Sequence, residues 1–278
     1  MKEQLISITS ASNPRIRQVM QLQKKRKERE ATGLFAAEGI RLFGEIPSGW
    51  LEQVFVSESF LEREDAQTIL EQAENCEIFS VKDSVFAGMC DTRTPQGILA
   101  VAHRRDWTLQ EILKLSDRPF FMMAENLQDP GNLGTILRTG EGAGITALIL
   151  SKGTVDIYSP KVIRSTMGSL FRVPFLYIED MAETAAFLRE RGIMVYGAHL
   201  EGSVPYDEPD YTHPSAILIG NEGNGLTDRT AAVCSRKVRI PMEGAVESLN
   251  AAMSAGILMY EVHRQRTAGA NRNCCSRQ

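Results

Sequence analysis

The chain has 278 residues, 43% hydrophobic and 24% charged, a globular composition that excludes a disordered, collagen-like or disulfide-stapled protein. Its length exceeds the usual single domain of about 100–150 residues and predicts two compact domains. The formal charge of −4 argues, taken alone, against a nucleic-acid binder.

Read along the chain, that average hides a segregation. Residues 1–30 hold eight basic side chains (Lys2, Arg15, Arg17, Lys24, Lys25, Arg26, Lys27 and Arg29) against Glu3, Glu28 and Glu30, a local balance of +5, so the other 248 residues carry −9. No apolar run approaches the roughly 18 residues of a membrane span, and no signal-peptide pattern follows Lys2 and Glu3. Five cysteines without C-x-x-C spacing and four scattered histidines predict no metal site, and the odd cysteine count fits a reducing cytoplasm.

Ser12-Asn13-Pro14 reads as an N-cap with proline in the first turn, opening a helix over Ile16–Leu22. Strands follow at Leu34–Ala37, Gln53–Val56, Glu77–Ser80 and Gly97–Ala102, with helices near Glu38–Ile46 and Asp65–Ala73. This is a smaller α/β domain over residues 1–103. Residues 104–118 gain charge and lose apolar runs, the signature of a linker, with one short helix at Leu109–Leu115.

From residue 119 to 267 near-continuous apolar strands alternate with helices: Phe120–Ala124, Ala147–Leu150, Val173–Tyr177, Met194–Ala198, Ala216–Ile219 and Val238–Ile240. Strands apolar on both faces predict a parallel sheet covered on both sides. In the last helix Leu249, Ala252, Met253, Gly256, Ile257 and Tyr260 recur at helical spacing and predict one buried stripe. Residues 268–278 read as a flexible basic tail.

Three polar loops follow strands of this sheet, where open α/β sheets bind ligands. The first is Asn126-Leu127-Gln128-Asp129-Pro130-Gly131-Asn132-Leu133-Gly134, with Arg138 one turn into the next helix. Capping by Asp129 ahead of Pro130 explains part of it; Asn132 and Arg138, six apart, share a helical face only if Asn132 precedes the helix. The second is Gly220-Asn221-Glu222-Gly223-Asn224-Gly225-Leu226, whose glycines permit close backbone approach and which lacks the lysine of a P-loop. The third runs from Ile240-Pro241-Met242 to Ser248-Leu249-Asn250-Ala251-Ala252, with Ser248 placed to cap the helix. Gly140-Glu141-Gly142-Ala143-Gly144 follows a helix and precedes a strand, the reverse of a dinucleotide site, and reads as a helix end with tight packing.

The three motifs, in this order, resemble those of the SpoU, or TrmH-type, RNA ribose 2′-O-methyltransferases of the SPOUT class, as does Ser165-Thr166-Met167-Gly168-Ser169-Leu170-Phe171-Arg172-Val173-Pro174. Upstream, Ile8-Thr9-Ser10, Asn13-Pro14 and Phe35-Ala36-Ala37-Glu38-Gly39-Ile40-Arg41 resemble the L30e-like substrate domain fused to many members. The resemblance implies S-adenosylmethionine as methyl donor, a C-terminal trefoil knot, a homodimer, and RNA as partner, large-subunit rRNA ahead of tRNA. It implies a cofactor cleft lined by Gly220, Ile240, Leu249 and Ala198, and a catalytic set of Arg138, Asn132, Glu222, Ser248 and Asn250. Because a free arginine stays protonated, with a pKa of about 12.5 or higher, Arg138 is read as binding the adjacent phosphate and stabilising the developing alkoxide. RNA contact is expected from Lys24, Lys25, Arg26, Lys27 and Arg29, with Arg164 and Arg172 nearer the catalytic sheet. Two other readings stand beside this one: a non-catalytic RNA-binding or ribosome-assembly factor, which has no need of the full catalytic set, and a dehydrogenase, which the reversed glycines at 140–144 disfavour.

Overall fold

The computed structural model describes residues 5–73, 76–246 and 248–275, with side-chain surroundings given as far as Ala268. The chain divides into two compact units, residues 1–105 with 156–171, and residues 106–155 with 172–278.

In the first unit, β1 (Ile6–Ile8), β2 (Leu34–Glu38), β3 (Leu51–Ser57), β4 (Glu77–Val81) and β5 (Ile98–His103) form a sheet in the order β1-β4-β3-β5-β2. β4 runs parallel to β1 and β3, whereas β5 is antiparallel to β3 and β2. Asn13 accepts the Arg15 amide at 2.9 Å and Pro14 opens the helix Pro14–Lys24, whose Ile16, Val19 and Leu22 bury against Phe55, Phe79 and Leu99. The three residues of β1 are too few to show a period-two pattern, so this strand is not visible in the sequence.

Two boundaries differ from expectation. Residues 156–171, assigned by pattern to the second domain, belong to the first unit. Arg29, 3% exposed, donates to Asp156 from Nε at 2.7 Å and to the Leu22 carbonyl at 2.5 Å. The Tyr158 hydroxyl receives the Arg105 amide at 2.9 Å, and its ring lies 4.7 Å from that of Phe35. A buried guanidinium requires a carboxylate, and here the carboxylate comes from 127 residues away. The expected linker is also folded: Thr108 and Glu111 form a capping box on the helix Leu109–Leu113, and Ile112 is buried in the core of the second unit.

In the second unit, β6 (Phe120–Ala124), β7 (Ala147–Ser151), β8 (Phe175–Ile178), β9 (Met194–Ala198), β10 (Val204–Pro205), β11 (Ser215–Ile219) and β12 (Arg236–Arg239) form a seven-stranded sheet in the order β10-β12-β9-β11-β6-β7-β8. Every pairing is parallel. All residues of β6, β7 and β11 are buried, as two covered faces require. Six of the seven strands are those expected from the apolar runs; the seventh, β10, is a two-residue edge piece.

The glycine cluster at 140–144 ends a helix, as its order implied. Gly144, at φ +80°, is the C-cap of the helix Pro130–Ala143, and a Cβ on Gly140 would lie 2.5 Å from Ile145 Cδ1.

The last helix, Ala251–Cys275, corrects the expected stripe. Its buried apolar residues are Ala252, Ala255, Leu258, Met259 and Val262, whereas Leu249 just ahead of it, Met253 and Tyr260 are 38%, 60% and 50% exposed. The helix is apolar on two faces, so periodicity alone selects the wrong one. The helix extends through part of the expected tail; residues 276–278 lie outside the described residues.

Candidate active site

The register pairs Ile219 of β11 with Ala124 of β6, so the first and second polar loops leave the sheet side by side. Asp129 caps the helix Pro130–Ala143 by accepting the Asn132 amide at 2.8 Å. Glu222 then reaches across from the second loop: its carboxylate accepts the Asp129 amide at 2.9 Å, the Gln128 amide at 3.0 Å and the Asn132 side-chain amide at 3.1 Å. A carboxylate on the free amides of a helix start is favoured by the helix dipole as well as by the bonds themselves. Burial opposes its charge, but the bonds from the Asp129 and Gln128 amides and the Asn132 side chain, acting with its own backbone, hold the Glu222 carboxyl below its ordinary value.

Asn132 passes the connection onward. Its Oδ1 accepts from Asn250 Nδ2 at 2.9 Å, and Asn250 Oδ1 in turn accepts the Ala252 and Met253 amides at 2.9 and 3.3 Å. Asn250, not Ser248, is therefore the cap of the last helix, and Ser248 is left exposed. Glu222, Asn132 and Asn250, one from each motif, form a single hydrogen-bonded chain. What brings the third motif to the first is helix packing: a Cβ on Gly256 would sit 3.6 Å from Thr139, and one on Gly142 would sit 3.2 Å from the Tyr260 hydroxyl.

Asn132 lies inside the helix and is 8% exposed, rather than ahead of it. Arg138 consequently points to a different face, where it is exposed and, among the described residues, has no hydrogen-bond or ion-pair partner. An unpaired guanidinium on this helix is available to an anion.

Beside the chain of amides lies a cleft of about 780 Å³. Gly220, Ile240, Leu249 and Ala198, the four expected cofactor residues, all line it, as do Glu222 and Ser248; Asn132, Arg138 and Asn250 do not. Gly220 is required by close approach, because a Cβ there would fall 2.0 Å from the Gly225 carbonyl carbon. The Asn221 and Gly225 amides and carbonyls pair reciprocally at 2.9 Å, closing the second loop on itself.

Two further motif residues, Asn126 and Asn221, outside the expected catalytic and cofactor sets, organise these loops. Asn126, at φ +56°, accepts from Asn221 Nδ2 on its carbonyl at 2.8 Å and joins Ser151 through its amide at 2.8 Å. The signal available in the sequence is an asparagine shortly after each of two adjacent strands, a residue that tolerates left-handed backbone and bonds to nearby main chain.

The basic residues separate into two groups. Lys24, Lys25 and Lys27 in the first unit are exposed and, among the described residues, have no ion-pair partner. The other four expected RNA contacts are engaged. Arg26 pairs with Glu30 at 2.7 Å, Arg29 is buried on Asp156, Arg164 belongs to the first unit and pairs with Asp91 at 2.7 Å, and Arg172 donates two bonds to Glu141. Burial and pairing remove Arg29 from contact and leave the other three already neutralised by carboxylates.

Residues 119–260 match the model of the SpoU rRNA Methylase family. The chain belongs to the SpoU rRNA methylase family. Within the same chain, residues 13–100 match the MRM3-like substrate binding domain, in the span where an L30e-like domain was expected. A similar family member is the 23S rRNA (guanosine(2553)-2′-O)-methyltransferase RlmP of Bacillus subtilis, 31% identical over 92% of this chain and 98% of that one. Among solved SpoU-type structures, the AdoMet-bound rRNA methyltransferase from Sinorhizobium meliloti is 30% identical, with a TM-score of 0.82 over 94% of this chain and 98% of the other. The SpoU methyltransferase AviRb from Streptomyces viridochromogenes, in complex with AdoMet, has a TM-score of 0.84 at 27% identity over 92% of this chain and 99% of its own.

Proposed function

We propose that the chain methylates a ribose 2′-hydroxyl of ribosomal RNA with S-adenosylmethionine as donor. The observation that carries this reading is the hydrogen-bonded chain Glu222–Asn132–Asn250, which ties three loops together beside a cleft while leaving Arg138 unpaired on the same helix as Asn132. A cleft of about 780 Å³ is within the range that holds cofactors, roughly 300–1,000 Å³. Gly220 in its wall lets the main chain at Gly225 and Leu226 fold against it, which gives the wall its shape. Gly220, Ile240, Leu249 and Ala198 would hold the cofactor, which supplies an electrophilic methyl group.

The protein's own contribution is orientation and charge. Glu222 fixes the amides that open the Arg138 helix, and Asn132 and Asn250 fix the turn carrying Ser248 and Leu249. The Arg138 guanidinium holds the ribose phosphate and stabilises the alkoxide that develops as the hydroxyl loses its proton. Positioning of this kind contributes on the order of 7–11 kcal/mol in well-oriented reactions. Lys24, Lys25 and Lys27 of the substrate-binding domain supply phosphate contacts. Ribosomal RNA is favoured over tRNA because RlmP, which aligns along 92% of this chain, is named for 23S rRNA.

Three features accompany this reading. The enzyme acts in the cytoplasm, with its substrate. It works as a homodimer, supported by the exposed Met253 and Tyr260 on a second apolar face of the last helix, an arrangement suited to a second copy of the same face. The third is a trefoil knot in the C-terminal part, a reading supported by β12, which pairs with both β9 and β10, and by Gln265 and Arg266, which bond to Pro209, Tyr211 and His213 of the connection from β9 to β11.

The test is to incubate the purified chain with S-adenosylmethionine and ribosomal RNA from cells lacking the gene, then identify methylated nucleosides by mass spectrometry. A single new 2′-O-methylnucleoside in large-subunit rRNA is expected. Methylation confined to tRNA would replace ribosomal RNA with tRNA as the substrate, and cofactor and RNA binding without transfer would replace this reading with the non-catalytic one.

A further inference from the structure

Glu125 follows β6 and is 5% exposed, yet it does not line the cleft and belongs to none of the three motifs as read from sequence. Its amide donates to the Ile219 carbonyl at 2.9 Å, immediately before Gly220. Its carboxylate accepts the Thr227 amide at 2.9 Å, lies 3.0 Å from the Thr227 hydroxyl, and accepts the Thr230 hydroxyl at 2.6 Å. Among the described residues no cation pairs with it. One residue thus grips both ends of the 220–226 loop: the strand before it through the main chain, and the helix Asp228–Val233 after it through the side chain.

Both gripped segments form the cleft wall. Gly220, Leu226, Asp228 and Ala231 line the cleft, and the main chain at Gly225 and Leu226 folds over Gly220 with no room for a Cβ. Releasing Thr227 and Thr230 would free the far end of this wall while leaving the Glu222–Asn132–Asn250 chain, at the near end, in place. A carboxylate buried in this way without hydrogen-bond donors is strongly disfavoured, so the donors and Glu125 order one another.

We propose that Glu125 is a positioning residue for the cofactor: a buried carboxylate clamp that holds the 220–226 loop and the following helix in the conformation that receives S-adenosylmethionine. This rests on the function proposed above. It acts on cofactor affinity rather than on the transfer step, because it reaches neither Arg138 nor the amides that Glu222 holds.

The test compares wild type with E125A, E125Q and T230V as full-length chains. Cofactor affinity is read by calorimetry, KM and kcat by methylation of rRNA, and amide exchange of residues 220–233 by mass spectrometry. For E125A the Kd and KM for S-adenosylmethionine should rise about tenfold or more, with kcat at saturating cofactor within about threefold of wild type. Exchange should accelerate over 220–233. E125Q, whose amide oxygen still accepts while the threonine hydroxyls rotate, should stay within about threefold of wild type throughout. T230V loses one donor at nearly constant volume and should fall between them; it decides the matter if E125A fails to fold. A lowered melting temperature with unchanged Kd, KM and exchange would show a merely structural residue and overturn the proposal. Wild type that does not bind S-adenosylmethionine would instead overturn the proposed function, and the exchange measurement would still judge the clamp.

Discussion

Arg29 in the first unit and Glu125 in the second are both buried ionisable side chains, and their surroundings satisfy them by different means. Arg29 has a carboxylate, Asp156, and two main-chain carbonyls. Glu125 has amide and hydroxyl donors and, like Glu222, no cation among the described residues. The first unit therefore uses an ion pair to join distant segments and leaves Lys24, Lys25 and Lys27 unpaired at its surface. The second unit uses carboxylates to order loops, and a cation it leaves unpaired is Arg138. Under the proposed function the free cations are the groups that would meet phosphate, whereas the carboxylates without cations hold main chain still.

The contrast makes graded predictions. The largest effect is expected from Arg29→Ala, which strands the buried Asp156 carboxylate: unfolding free energy should fall by about 3–5 kcal/mol in a denaturant titration, as when one partner of a buried pair is removed. A decrease below about 1 kcal/mol would mean that the pair is worth no more than an exposed one. Next, Arg138→Ala should lower single-turnover methyl transfer by about 10²–10³-fold while cofactor affinity, measured separately, stays near wild type. Arg138→Lys should recover only part of the rate, because an ammonium lacks the planar fork. Full activity in both variants would remove Arg138 from the chemistry.

A smaller effect is expected at the lysines. Neutralising Lys24, Lys25 and Lys27 together should weaken RNA binding and reduce the slope of log affinity against log salt by about 0.7–0.9 for each phosphate that is no longer neutralised. Cofactor affinity should not change. Neutralising Arg26, already paired with Glu30, should change the slope less than any one of the lysines. The smallest effect is a pH dependence. The folded value of Glu222 lies below its ordinary 4.5, so its contribution to stability is complete above 4.5 and is lost as pH falls through the depressed folded value. Glu222→Gln should flatten that part of the acid limb of the melting-temperature profile, and an unaltered limb would show that the amides at the helix start do not depend on its charge.

Much of the site is legible without the fold. The Asp129-Pro130 cap, the glycine loop and the three motifs are local signals, carried by residues a few positions apart, and each lies where a strand ends. The helix stripe is misleading because Met253 and Tyr260 share the chemistry of a buried face, and periodicity reports apolarity without saying which apolar face the protein covers. Ser248 resembles the cap because it is a good capping residue in a suitable place; the helix begins later, and the Asn250 side chain reaches the amides first. The pairing of Arg29, Arg164 and Arg172 is invisible in the sequence because their carboxylate partners are remote along the chain.

Motif order, strand apolarity and the charge difference between the first 30 residues and the rest set the class of the protein, because none of them needs knowledge of which residues meet. Which groups share a charge or a hydrogen bond emerges only when the chain is folded. Asp156 reaches Arg29, Asn250 reaches Asn132 and Glu125 reaches Thr227 across separations of 127, 118 and 102 residues. Electrostatic and hydrogen-bonded partners are chosen by distance in space, a few ångströms, and a chain of this length brings together residues that no local pattern associates.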